Sequence, residues 1–195
     1  FTLNLWARPP LSDQEIANII QEFQYQSNYN EISNSQKGGS LSSCWEYNKK
    51  VETYYPNMSK PLVIDIRMYM PNRRDLGDKK VPVVVMVPPI GGLNFLDKQM
   101  GKTFCDYNVT AVILKNDFAN LESQSKGELS PPEDHQQTFY RIGAAIKAVK
   151  AMAFDDKNMD GNQFGVFGVS LGGILSSFIM STQPDISAGY FVVAG

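Results

Sequence analysis

The residues best equipped for chemistry lie in one stretch, Phe164-Gly165-Val166-Phe167-Gly168-Val169-Ser170-Leu171-Gly172-Gly173. A serine hydroxyl is a weak nucleophile until a base activates it, and it must also be held clear of other contacts. The Gly-x-Ser-x-Gly spacing meets the second need. A chain that bends sharply from strand into helix holds the residue at the bend in a strained conformation. Gly168 and Gly172 then sit where side chains would collide across the bend, and Gly173 lets the helix approach its neighbours. The Ser170 hydroxyl stands above the sheet at a helix N-terminus. There the Leu171 amide has no intrahelical acceptor, and the helix dipole favours a developing negative charge. Leu171 N–H is therefore a candidate oxyanion donor. Short patterns with two glycines arise by chance, so the strand–turn–helix setting carries the reading; without it the stretch is a structural glycine turn.

The surrounding elements supply that setting. Ser12 and Glu15 form a capping box that opens a helix over 11–23, with Ile16, Ile19, Ile20 and Phe23 on one face. Residues 24–44, rich in Asn, Ser, Gln and Gly, read as a loop. A short strand is expected over 51–55, and strict alternation over 62–70 predicts a second. The unbroken apolar run Val81–Val87 predicts a strand covered on both faces. Residues 94–106 read as a helix, with Leu96, Met100 and Phe104 four apart, and 110–114 as a buried strand. Residues 116–136 show no period and read as a long loop. A helix over 137–153, a strand over 163–167, a helix over 171–181 and a strand over 188–194 complete the chain. The alternation predicts an α/β fold, a mostly parallel sheet with helices on both faces. Residues 1–50 read as an N-terminal helical and loop extension, and 51–195 as the main domain.

A second segment points the same way. Val87-Pro88-Pro89-Ile90-Gly91-Gly92 leaves the strongly buried strand and precedes a helix. Together with the serine bend it resembles the α/β-hydrolase superfamily, nearest to dienelactone-hydrolase-like serine esterases, over roughly residue 51 to the end. In that superfamily the loop supplies the second oxyanion amide, which the resemblance puts at Ile90. The family commonly has His-Gly-x-Gly here, and Pro88-Pro89-Ile90-Gly91 departs from it by lacking the His and the first Gly. The resemblance implies hydrolysis of a small-molecule ester, or of a thioester or peptide, through an acyl-enzyme. A binding protein that has lost catalysis on the same fold is the alternative.

The base is the missing part. The family order is Ser, acid, His. The 25 residues after Ser170 hold one acid, Asp185, and no histidine; the single histidine of the chain, His135, lies upstream. Three explanations follow. The chain is the N-terminal part of a longer hydrolase whose acid and His lie beyond Gly195, the favoured one; or His135 stands in as base; or catalysis has been lost. The plainer reading of His135 is a solvated loop residue beside Glu133 and Asp134.

Composition closes off other classes. At 43% hydrophobic and 19% charged, the 195 residues are those of a globular domain. A net charge of −2 gives no basic excess for nucleic acid, and no apolar run approaches a membrane span. No metal or organic cofactor is implied. Asp156-Lys157-Asn158-Met159-Asp160-Gly161 starts like a calcium loop, but its twelfth position is Phe167, so it reads as a polar turn. Gly91-Gly92 lacks the Gly-Lys-Ser/Thr of a phosphate loop. Cys44 and Cys105 are read as one bridge or two buried thiols, structural rather than reactive. The sequons Asn57-Met58-Ser59 and Asn108-Val109-Thr110, with a first residue other than Met, lean toward a periplasmic or secreted setting.

Overall fold

The computed structural model describes residues 12–24, 28–37, 43–54, 61–72, 76–89, 94–115 and 132–192, with side chains in the last segment described from 138 onward. Ile90, Gly91 and Gly92, the sequon at Asn57, and residues 116–131 lie outside them. Seven strands form one sheet: β1 (Tyr29–Lys37), β2 (Cys44–Thr53), β3 (Leu62–Pro71), β4 (Val81–Val87), β5 (Thr110–Leu114), β6 (Met159–Val169) and β7 (Ala188–Val192). Four helices accompany them among the described residues: α1 (Asp13–Glu22), α2 (Phe95–Asp106), α3 (Pro132–Asp155) and α4 (Leu171–Thr182). Strand order is β1-β2-β3-β5-β4-β6-β7. Pairing is antiparallel from β1 through β3 to β5, and parallel across β5, β4, β6 and β7.

Alternation along the strands sorts the core into two layers. Val83, Val85 and Val87 of β4 join Ile64, Ile66 and Met68 of β3 and Val112 and Leu114 of β5 on one face. Ile142, Ile146 and Val149 of α3 and Leu175 and Ile179 of α4 cover that face. Val84, Met86, Ala111, Ile113 and Phe167 point the other way, where α2 covers them with Cys105. This explains the unbroken apolar run in β4, which serves both layers. Helix α1 starts with the expected capping box: Ser12 N–H donates to Glu15 Oε2 at 2.8 Å and Glu15 N–H to Ser12 Oγ at 3.3 Å. Its C-cap residue, Phe23, stacks on Tyr140 of α3.

Three expectations differ from the structure. The loop expected over 24–44 contains β1. That strand is exposed along nearly its whole length and is joined through backbone pairing to β2, so it carries no apolar alternation to read. The strand expected over 51–55 begins at Cys44, because Trp45–Lys50 pairs fully with Arg67–Met70 and its neighbours while carrying a mixed polar sequence. The long loop expected over 116–136 ends early, since α3 starts at Pro132, a residue suited to a first helical turn. The open question about the cysteines is resolved: Cys44 and Cys105 form a disulfide with Cα atoms 6.1 Å apart, tying the start of β2 to the last turn of α2.

Candidate active site

The connections around β4 and β6 create a crevice. The two strands are parallel neighbours, with Val87 level with Gly168. Helix α2, which follows β4, lies on one face, and α4, which follows β6, lies on the other. Where neighbouring parallel strands send their connections to opposite faces, a cleft opens beyond their carboxyl ends. Ser170 stands directly after β6 at that point.

Ser170 has φ 55° and ψ −127°. Among the described residues the only other non-glycine with positive φ is Asn108, in the turn after α2. A non-glycine residue held there costs on the order of 1–3 kcal/mol, so neighbouring contacts must enforce it. Ser170 N–H donates to the Val192 carbonyl at 2.7 Å, and the Ser170 carbonyl accepts from Gly173 N–H at 2.9 Å and Ile174 N–H at 3.3 Å. Serine at a helix N-cap ordinarily bonds its hydroxyl to the first turn. Here the hydroxyl makes no such bond, and the residue is half-buried. The side chain is spared for another partner.

The glycines are required by backbone, not by side chains. A Cβ on Gly168 would come within 2.7 Å of the Gly173 nitrogen and would collide with the Gly172 carbonyl. One on Gly172 would meet the Pro88 oxygen at 2.6 Å and collide with the Val87 oxygen. Gly173 is tight against the carbonyls of Gly168 and Val192, each 3.2 Å from a Cβ there. Gly172 therefore seats the first turn of α4 directly on the end of β4. Leu171, the first residue of α4, lies at the helix N-terminus, where its amide has no i−4 acceptor. Ile90 lies just past Pro89, outside the described residues.

Asp185 is placed away from Ser170. It precedes β7, whose Ala188 is level with Gly165 and whose Val192 is level with Val169. About 13 Å of strand thus separates the two ends of the sheet. Its carboxylate pairs with Lys150, whose Nζ also donates to the Asp185 carbonyl at 2.7 Å. Burial pushes the neighbouring Lys147 amine down to about 8, against the pull of Asp185. His135 lies in the first turn of α3. Asp156 and Asn158 form the polar turn expected between α3 and β6, with Asn158 N–H donating to Asp156 Oδ1 at 2.7 Å. Among the described residues no group of three or more His, Cys, Asp or Glu could hold a metal ion, and no helix is long and apolar enough to cross a membrane.

One feature near the crevice had no sequence expectation. Asn94 and Asp97 form a capping box at the start of α2, with Asn94 N–H donating to Asp97 Oδ2 at 2.9 Å. Asp97 is only 5% exposed, and burial raises its carboxyl above the ordinary range despite that hydrogen bond. The signal was available in the Asn-x-x-Asp spacing.

No protein-family profile and no curated protein matches the sequence. Solved structures do match the fold. A glucuronoyl esterase from Teredinibacter turnerae superposes with a TM-score of 0.59 at 13% identity, covering 91% of this chain and 50% of that one. Acetyl xylan esterase 1 from Thermoanaerobacterium sp. gives 0.58 at 13%, covering 89% and 55%. A dienelactone hydrolase-like promiscuous phosphotriesterase from metagenomic libraries gives 0.51 at 16%, covering 85% and 58%. These are α/β-hydrolases, and the present chain has their fold. It spans about half the length of the structures it matches.

Proposed function

We propose that this chain forms the nucleophile-bearing part of a serine hydrolase acting on carboxylic esters. The observation that carries the proposal is Ser170 itself: a strained backbone at the crevice between β4 and β6, with a hydroxyl withheld from the helix cap. This is the geometry of a nucleophile elbow. The esterases that share the fold support an ester as the substrate class.

In the proposed reaction Ser170 Oγ attacks the ester carbonyl carbon as a base takes its proton. The carbonyl oxygen becomes an oxyanion, held by the amides of Leu171 and Ile90. Collapse of the tetrahedral adduct expels the alcohol, which leaves with the proton returned by the base. Water then attacks the acyl-enzyme by the same route and releases the acid. The α/β-hydrolase likeness implies an imidazole base oriented by a carboxylate. Asp185, at the far end of the sheet and paired with Lys150, does not fit that carboxylate. One oxyanion donor is worth about 10²–10³ in rate, so both amides matter to the outcome.

The test is covalent labelling of the natural full-length protein with a fluorophosphonate. Labelling at Ser170 that disappears in Ser170→Ala supports the enzyme. A folded full-length protein that stays unlabelled supports a non-catalytic binding protein on the same fold.

A further inference from the structure

Helix α2 is rotated against its own sequence pattern. Its apolar spacing, Leu96, Met100 and Phe104, predicts the face that should meet the sheet. The residues actually buried are Asp97, Gly101 and Cys105. Two contacts set this rotation. Gly101 lies so close to β3 that a Cβ there would stand 2.7 Å from the Tyr69 ring, and Cys105 is bonded to Cys44. Phe95 and Leu96 are consequently turned outward at 74% and 69% exposure, and Met100 follows at 37%. An outward helical face ordinarily carries polar residues, and a contiguous exposed apolar patch marks a binding surface.

The position of the patch says what it faces. Gly172 presses the end of β4 against the serine bend. Phe95 and Leu96 are the first two helical residues after that strand end, so the patch begins at the crevice mouth. It runs about 8 Å down the helix from Phe95 to Met100, at 1.5 Å per residue. We infer that Phe95, Leu96 and Met100 form an apolar rail that receives the hydrocarbon part of the ester, so that longer acyl or alkoxy chains react faster. The inference rests on Ser170 as the nucleophile and adds to it the substrate class. Departures from local sequence logic of this kind concentrate at functional sites.

The rate of covalent labelling reads this out directly. Ethyl and octyl fluorophosphonates are compared on the natural full-length protein, with modification at Ser170 followed by mass spectrometry. A fully buried methylene gains about fourfold, and one half covered by an open rail about twofold, so a few methylenes on the rail favour the octyl probe by about tenfold. The octyl-to-ethyl ratio falls toward one in the double variant Phe95→Ser/Leu96→Ser and is kept in Tyr107→Ser, at the far end of α2. A ratio near one in the wild type, or a tenfold ratio that survives in the double variant, overturns the rail, as it must if another polypeptide covers this face. Failure of even the ethyl probe to label Ser170 removes the nucleophile reading, and the rail with it.

Discussion

Replacing Gly172 by alanine tests the seating of the serine bend on β4. The added Cβ would lie 2.6 Å from the Pro88 oxygen and 2.9 Å from the Val87 carbon, whereas real Cβ atoms essentially never come within 3.0 Å. The first turn of α4 must retreat by at least 3.0 − 2.6 = 0.4 Å, and by more to clear the Val87 oxygen. Both obstacles are backbone, held in the sheet, so they do not yield as a side-chain tip would. Overpacking of this kind costs about 1–3 kcal/mol, and a 1 Å misplacement of a reacting group costs about 10²-fold in rate. The matched control is Gly143→Ala in α3. Its Cβ would meet only side-chain carbons, Ile179 Cδ1 at 3.2 Å and the Phe23 ring at 3.3 Å. There the gain in helix propensity, up to about 1 kcal/mol, offsets a small repacking cost. Urea unfolding and the second-order rate of fluorophosphonate labelling measure both variants. Gly172→Ala should lose about 2 kcal/mol and about a hundredfold in labelling, while Gly143→Ala changes neither by much. If the two variants behave alike, the close seating of α4 on β4 is not what positions Ser170.

Three further outcomes are expected. Ser170→Gly should raise stability by about 1 kcal/mol, by relieving the positive φ, while abolishing labelling; chemical denaturation that finds it less stable than wild type argues against strain at the bend. Reducing the Cys44–Cys105 bond, which closes a separation of 61 residues, should cost roughly 4 kcal/mol by loop entropy, seen as a lower thermal midpoint with reductant; an unchanged midpoint in a verified dithiol refutes this. Asp97 binds its proton more tightly folded than unfolded, so its contribution is full below the unfolded pKa and is lost as pH rises through the raised folded value. Asp97→Asn should therefore flatten the fall in stability across the acidic range, and an unaltered slope counts against the buried charge.

Much of the site was readable because glycine leaves a signature that packing cannot disguise. Gly168 and Gly172 are demanded by backbone contacts, and only one residue type fits them. The unbroken run of β4 likewise announced a strand serving two core layers. What escaped reading depended on partners. β1 is held by hydrogen bonds to β2 and buries almost nothing, so its sequence records no face. The rotation of α2 is set by Tyr69 and Cys44, residues 32 and 61 positions away from Gly101 and Cys105, and no local period encodes such distant constraints. The pairing of the cysteines was likewise undecidable until β2 and the end of α2 were seen side by side.

The carbonyl that fastens the Ser170 amide belongs to Val192, the final described residue of β7, and β7 pairs with β6 alone among the described residues. Marginal strands open at a lower free energy than interior ones. Each fraying event at the rim therefore releases the tension stored in the bend, letting the serine relax toward an idle shape. Whatever zips onto that rim, and so damps its breathing, lengthens the fraction of time the hydroxyl stands ready.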